Sequence, residues 1–473
     1  MTISVVDADV LGNETAVKVE SVENVESVAG QAVADAIDAG DETVAFLQRL
    51  IRFDTRNDGS GTTNERPAAE WAAERLAEAG IDSIIIESKP GRANLIADIA
   101  GEDPTLPSLL VHGHLDTVPA NADDWSVDPL GGVIRDYNGT ACVWGRGAVD
   151  MKNMVAMTLA AVRSLARAGI RPRRNIKLVL FADEEAGGFQ GSEWLAANRP
   201  EVFDGVGYII SETGGFSGSV NGRRVYYVQT GEKGTQWFSL TSRGTQSHGS
   251  QINPDNAVVH IARAAVRIAD HQWPVALNSV TRLLLDRLAE LTGIPADSPE
   301  HVAQLIEATG FAKAWVGSSV RNTFNVTSID AGSTVNIVPG KASALVDGRA
   351  LSGQEDDVLD ALKTLAGDRV DVAKIHRSKG YLSAPDGELF TGIERVLGEL
   401  DPEAQVLPFL SSGGTDSKAV LSVNPNVQVA GFIPLKVPEG FDYIANFHGI
   451  DERVPIEALR FGEQALERFI ATF

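Results

Sequence analysis

Apolar positions from residue 41 onward recur first at helical and then at strand spacing. Val44, Phe46, Leu47, Leu50 and Ile51 follow at three- and four-residue steps, predicting a helix with Asp41 as its N-cap. A second helix is predicted over 67–79, ending at Gly80. Short apolar runs come next, at 83–86, 94–99, 108–111, 177–182 and 207–210. They are continuous rather than alternating, the pattern of strands buried on both faces. Between two of them, Val155, Leu159, Val162 and Leu165 line one face of a helix over 150–168 that Gly169 ends. Strands separated by helices predict an α/β fold with a mostly parallel central sheet.

The pattern changes near Gln229. A strand is predicted over 237–241, with Trp237 and Phe238 both assigned to the core. A helix follows over 254–270, carrying Val258, Ile261, Ala265 and Ile268. Residues 271–330 are less regular and hold one helix near 278–291. Two strands (334–337 and 342–346) and helices over 355–365 and 390–400 complete the pattern. The expected organisation is a sheet domain over 41–228 and 384–473, interrupted by a smaller inserted α+β domain over 229–383. Residues 1–40 hold eight acids and one lysine, Lys18. They read as a poorly ordered acidic arm, a loose helix over 31–39 being the alternative.

Charge narrows the function. With 41 Lys and Arg against 64 Asp and Glu, the net charge of −23 repels phosphate backbones and anionic lipid, which argues against nucleic-acid and membrane partners. Cys142 is the single cysteine, so neither an internal disulfide nor a multi-cysteine metal site can form; it reads as a small buried hydrophobe. No apolar run approaches the ~20 residues that cross a bilayer, and no basic segment leads into an apolar one at the start of the chain. The cytoplasm is the expected compartment.

Three apolar runs end in polar residues that a core would not choose. Ser108-Leu-Leu-Val leads into His112-Gly-His114-Leu-Asp116, Lys177-Leu-Val-Leu-Phe-Ala into Asp183-Glu184-Glu185, and Tyr208-Ile-Ile into Ser211-Glu212. In a parallel sheet these ends share one edge, where α/β folds bind ligands. Carboxylates and a histidine gathered there repel one another and resist burial unless a cation compensates, so a divalent metal is the economical explanation. Asp150, directly before a helix, taken alone reads rather as an ordinary N-cap. Spacing alone does not say which of Glu184 and Glu185 would be ligand and which base.

Taken together, Ser108-Leu-Leu-Val-His-Gly-His-Leu-Asp-Thr-Val-Pro119, Gly145-Arg-Gly-Ala-Val-Asp-Met-Lys152, Phe181-Ala-Asp-Glu-Glu-Ala-Gly-Gly188 and Ser211-Glu-Thr-Gly-Gly215 resemble the motifs of the aminoacylase, carboxypeptidase G, succinyl-diaminopimelate desuccinylase and acetylornithine deacetylase family of co-catalytic di-zinc hydrolases. The resemblance runs from about residue 42 to the C-terminus, leaving out much of 271–330. It implies two zinc ions per subunit, for which cobalt or manganese can stand in. One is held by His114 and Glu212, the other by Glu185 and His448, with Asp150 bridging both and a cis peptide after Asp150. Asp116 would orient His114. Glu184 would be the general base toward a metal-bound hydroxide attacking an amide carbonyl. The resemblance further implies that His248 stabilises the oxyanion, from the same or a neighbouring subunit, and that Asn336 and Arg349 engage a substrate carboxylate. It also implies that Gly414 and Thr415 belong to the loop that walls the substrate, that the sheet domain is a three-layer catalytic domain, and that the inserted α+β domain is a lid or dimerisation domain through which a homodimer forms. His112 is left with a packing or supporting role.

The function so implied is hydrolysis of the amide bond of an N-acyl amino acid or short peptide with a free carboxylate. Glutamate at 212 leans toward deacylase, with dipeptidase or carboxypeptidase as the alternative. A barrel amidohydrolase, prompted by His112-x-His114, lacks its further strand-end histidines. A metal-stabilised binding protein would not need Glu184.

Overall fold

The computed structural model describes residues 4–7, 15–18 and 39–473. The acidic arm expected over 1–40 lies outside the described residues, apart from Ser4–Asp7, paired antiparallel with Thr15–Lys18, and the start of the first helix. The chain divides into two compact units. One comprises Met1–Val228, Asp386–Leu407 and Thr415–Phe473; the other comprises Gln229–Pro385 and Pro408–Gly414.

In the first unit, a sheet runs in the order Ser83–Glu87, Ala93–Ile99, Ile176–Phe181, Ser108–His114, Val206–Ser211, Gln428–Gly431. The last four are mutually parallel and the first two antiparallel. Leu109, Leu110, Val111, Leu178, Val179, Leu180, Ile209 and Ile210 are all buried, which is why these strands read as unbroken apolar runs. Helices Ala39–Ile51, Lys152–Arg167 and Ile456–Thr472 pack on one another. A Cβ on Gly113 would lie 3.0 Å from Met151 Cε and 3.1 Å from Val155 Cγ2. Glycine therefore lets the segment following Asp150 pack directly on the strand that ends at His114.

Two predicted caps are corrected. The first helix begins at Ala39, which places Asp41 in its first turn. The helix after Asp150 starts at Lys152 with Met151 as N-cap and no side-chain cap, so the Asp150 carboxylate is not spent on capping. Cys142 is buried on the strand Thr140–Trp144, where burial pushes its thiol up to about 11.

The second unit carries an antiparallel sheet in the order Thr323–Ala331, Lys341–Ala350, Gly234–Arg243, Asp371–Arg377. Its core gathers Phe238, Leu240, Ala344 and Val346 of the sheet with Ile261 and Ile268 of the helix Ala257–Asp270 and Val358 and Leu362 of the helix Asp357–Ala366. The predicted strand over 334–337 is replaced by an exposed loop leading into the two-residue strand Ile337–Val338. The strands Thr323–Ala331 and Asp371–Arg377 have no counterpart in the sequence reading. Both are sheet edges with largely exposed residues. Phe324, Val326 and Ala331 of the first reach the core, but a bulge between Val326 and Ser328 breaks their alternation; in the second, only Val372 is not exposed, and it packs on that core. The irregular stretch also contains Pro299–Glu307 and Lys313–Ser319 beside the expected helix, Ser279–Thr292.

Trp237 is not core. Neighbouring residues of a strand face opposite sides: Phe238 is fully buried, whereas Trp237 is 41% exposed and donates its indole N–H to Asp347 Oδ1 at 3.1 Å. Phe238→Ala should therefore cost about 3–5 kcal/mol through a cavity, and Trp237→Ala about 1 kcal/mol or less. Chemical denaturation of both variants checks the contrast, and equal losses would contradict it.

Candidate metal centre

Parallel strands bring their C-terminal ends to one edge, and chemistry gathers there in the first unit. His114 is the last residue of its strand, and Glu212 directly follows Ser211. Glu184 and Glu185 open a short 3-10 turn, Glu184–Ala186, just past the strand that ends at Phe181. Asp150 precedes the helix Lys152–Arg167, and the peptide between it and Met151 is cis. His448 comes from a distant loop after the turn Ile444–Asn446, with a left-handed backbone (φ 56°).

Asp150 stands between the two histidines. His114 Nε2 is 3.1 Å from Asp150 Oδ1 and 3.5 Å from Glu212 Oε2. On the other side, His448 Nε2 is 3.2 Å from Asp150 Oδ2 and 3.2 Å from Glu185 Oε2. Ligand atoms of His114, Glu184 and Glu212 lie within 4.8 Å of one another, as do those of His114, Asp150 and Glu185. All five residues expected to hold metal are thus brought together, with Glu184 among them.

The electrostatics show what the cluster lacks. Burial and the neighbouring Glu212 push the Glu184 carboxyl well up, and burial with Asp150 raises Glu185. Burial moves Glu212 to about 7. Against its own burial, Asp150 is held low by hydrogen bonds from both imidazoles. Burial would lower His114, but hydrogen bonds to Asp116, Asp150 and Glu212 raise it well above the usual range; those to Asp150 and Glu185 raise His448 to about 10. With protein groups alone, the imidazoles must carry the positive charge that the carboxylates demand. Glu212 Oε1 is buried without a hydrogen-bond partner. Imidazole nitrogen and carboxylate oxygen are the donors zinc prefers, and a divalent cation would replace those protons. The residues fit a metal.

Residues around the cluster hold it in shape. His114 Nδ1 lies 2.9 Å from the Asp116 backbone carbonyl and 3.5 Å from Asp116 Oδ1, so the main chain makes the closer contact. The Asp116 carboxylate instead accepts from the backbone N–H groups of Glu184 and Glu185, both at 3.1 Å, and from Asn57 Nδ2 at 2.9 Å. Asp183, left-handed at φ 67°, accepts from Asn57 Nδ2 and Gln190 N and pairs with Arg92. Neither Asn57 nor Arg92 carried a signal in the sequence, since each acts from a loop far from any motif. His112 stays outside the cluster. Burial drives it down to about 3, and its Nε2 meets Ser417 Oγ at 2.8 Å.

The sequence profile of peptidase family M20/M25/M40 matches residues 110–472, most of the chain and every residue of this cluster. The chain belongs to that family. Human N-fatty-acyl-amino acid synthase/hydrolase PM20D1 is 27% identical over 376 residues, which are 76% of this chain and 73% of that protein. Aminoacylase-1 of Sus scrofa is 29% identical over 284 residues, 60% of each chain. Among solved structures, the M20 family metallo-carboxypeptidase Sso-CP2 from Sulfolobus solfataricus shares the fold with a TM-score of 0.68, at 18% identity, covering 91% of this chain and 99% of that one. This M20/M25/M40 protein is accordingly a hydrolase acting on amide bonds.

The other residues singled out in this M20/M25/M40 chain lie mostly on its second unit. His248 is exposed, with Nδ1 2.8 Å from Ser250 Oγ, and pairs across a short ladder with Ile337. Gly249 N donates to the Asn336 carbonyl at 2.8 Å, which makes His248 and Asn336 neighbours. Arg349 presents its fork to Asp347 at 2.7 and 3.0 Å and also donates to the Ser412 carbonyl at 3.1 Å. Gly414 is exposed, while Thr415, assigned to the first unit, is buried and accepts from Ser417 N.

Proposed function

We propose that this protein removes the acyl group from N-acyl amino acids bearing a free carboxylate, at a pair of divalent cations. His114 and Glu212 would hold one cation, Glu185 and His448 the other, and Asp150 both. The observation that carries the reading is Asp150 itself: its two oxygens point to different histidines at 3.1 and 3.2 Å, the arrangement a bridging carboxylate requires. When bound, such a pair supplies positive charge that polarises a carbonyl and acidifies a water.

The chain supplies the proton traffic. Glu184 belongs to the same cluster but makes no hydrogen bond to either histidine that would tie up its carboxylate. It accepts the proton of the attacking water and delivers it to the departing amide nitrogen, so one group serves as base and then acid. The backbone N–H bonds to Asp116 keep Glu184 and Glu185 in register, one toward each task. On the resemblance alone, His248 is assigned to the oxyanion, Asn336 and Arg349 to the substrate carboxylate, and the second unit to dimer formation. The deacylase reading is supported by Glu212 and by similarity to proteins named as an aminoacylase and an N-fatty-acyl-amino acid hydrolase.

Metal analysis with a parallel panel of N-acetyl amino acids, long-chain N-acyl amino acids and dipeptides tests the proposal. Two divalent ions per chain and faster turnover of the N-acyl substrates are expected, with activity lost to chelator and restored by zinc or cobalt. Preference for substrates with a free N-terminal amine would replace deacylase by dipeptidase. A chain that binds no divalent ion would overturn the metal centre.

A further inference from the structure

Glu452 lies four residues after His448 and is fully buried. Its carboxylate is filled from one direction. Oε1 accepts from Val149 N at 2.6 Å and Asp150 N at 3.0 Å, and Oε2 accepts from Gly147 N at 3.0 Å and Arg146 Nη1 at 2.8 Å. The Glu452 carbonyl also takes the N–H of Gly145 at 2.9 Å. All five donors belong to the loop that ends in Asp150. The next residue, Arg453, donates its backbone N–H to Asn446 Oδ1 at 3.2 Å and pairs with Trp144 in an antiparallel ladder. One short segment therefore ties the loop of His448 to the loop of Asp150.

We infer that Glu452 is a positioning residue of the metal centre, holding the backbone at Asp150 so that its two oxygens face His114 and His448. The inference rests on the metal-centre reading above. Charge-assisted bonds from several N–H groups to one carboxylate are short and directional, and they act here on the residue shared by both proposed cations. Glutamine matches glutamate in size but cannot reproduce this set. Its NH₂ group donates, so whichever oxygen it replaces leaves two donors facing a donor: Val149 N and Asp150 N, or Gly147 N and Arg146 Nη1. Groups that orient metal ligands in this way typically change metal affinity by ~10–100-fold when altered.

A simpler role would be to neutralise the buried Arg146 guanidinium, whose side chain is 4% exposed. The two roles separate experimentally. Cobalt is titrated into the full-length chain, following the visible absorption bands and competition with a chelator, while circular dichroism reports folding. Glu452→Gln is expected to bind cobalt ~10–100-fold more weakly, with shifted bands. Glu452→Asp keeps the charge for Arg146 but withdraws the carboxylate from residues 147–150. It should also weaken binding at least ~10-fold, and it carries the test if the glutamine variant does not fold. The double variant Arg146→Met/Glu452→Gln removes the ion pair as a unit. Positioning predicts that it stays weak, whereas return to wild-type affinity would show that charge pairing was the whole role. Wild-type affinity and spectrum in Glu452→Asp would equally overturn the inference. If the wild-type chain itself takes up no cobalt, the metal-centre reading falls and this one with it.

Discussion

Glu184→Gln will leave a folded protein that still takes up its divalent ions but turns over its best N-acyl amino acid ~10²–10⁴-fold more slowly, the span general acid–base groups contribute. The argument rests on what the substitution keeps and removes. Glutamine preserves the volume and the backbone N–H that Asp116 Oδ1 holds at 3.1 Å, so the turn and Glu185 stay in place. It cannot take a proton from water or return one to a leaving nitrogen. Glu185→Gln should behave in the opposite way. Its Oε2 sits 3.2 Å from His448 Nε2, so that variant loses metal first and activity as a consequence. The competing assignment makes Glu184 a ligand beside His114 and Glu212, with which it forms one compact group. Metal content then falls together with turnover in Glu184→Gln. Ion stoichiometry and kcat measured on the same preparation separate the two, and full activity in the variant would end the mechanism proposed here.

The edge that carries the candidate metal centre was legible because polarity interrupts hydrophobicity at defined places. Apolar strands running into His114, Glu184–Glu185 and Glu212 say that strand ends meet at something charged, whatever the family. His448 carries no such signal. It follows no strand, its backbone is left-handed, and it reaches Asp150 across about three hundred residues, so only the resemblance placed it. Asp150 was ambiguous for a physical reason, since a carboxylate before a helix is the ordinary N-cap; in the structure the helix starts two residues later with Met151 as its N-cap, and both Asp150 oxygens are turned to the histidines. Trp237 was misread and the strand Asp371–Arg377 was missed because burial belongs to a sheet face and not to a residue type. A tryptophan can stand on the open face, and an edge strand can be almost wholly exposed, apolar residues such as Ile375 included. Supporting groups such as Asn57, Arg92 and Glu452 were invisible for another reason. Their partners are backbone N–H groups and carboxylates far away in sequence, and no spacing encodes those.

Asp150→Ala should release both ions, whereas His448→Ala should release one. Asp150 is the residue both histidines share, so its removal takes a donor from each proposed site. His448 faces only Asp150 and Glu185, and His114 keeps Glu212 when it is gone. Affinity in Asp150→Ala should fall by more than ~100-fold, beyond the upper end of what altering a supporting residue costs, and turnover should fall with it. Chelated protein gives a second readout independent of catalysis. Hydrogen bonds to Asp150 and Glu185 raise His448 from its ordinary 6.5 to about 10. The folded state therefore binds this proton more tightly than the unfolded chain. The resulting stability is fully present below pH 6.5 and is lost as pH rises toward about 10. In Asp150→Ala one of the two carboxylates responsible is gone, so the decline in thermal stability across that window should flatten. Calorimetric titration of zinc into the two variants, with melting curves in chelator across the window, decides the matter. One ion retained at full affinity in Asp150→Ala would mean that its carboxylate serves a single site and does not bridge.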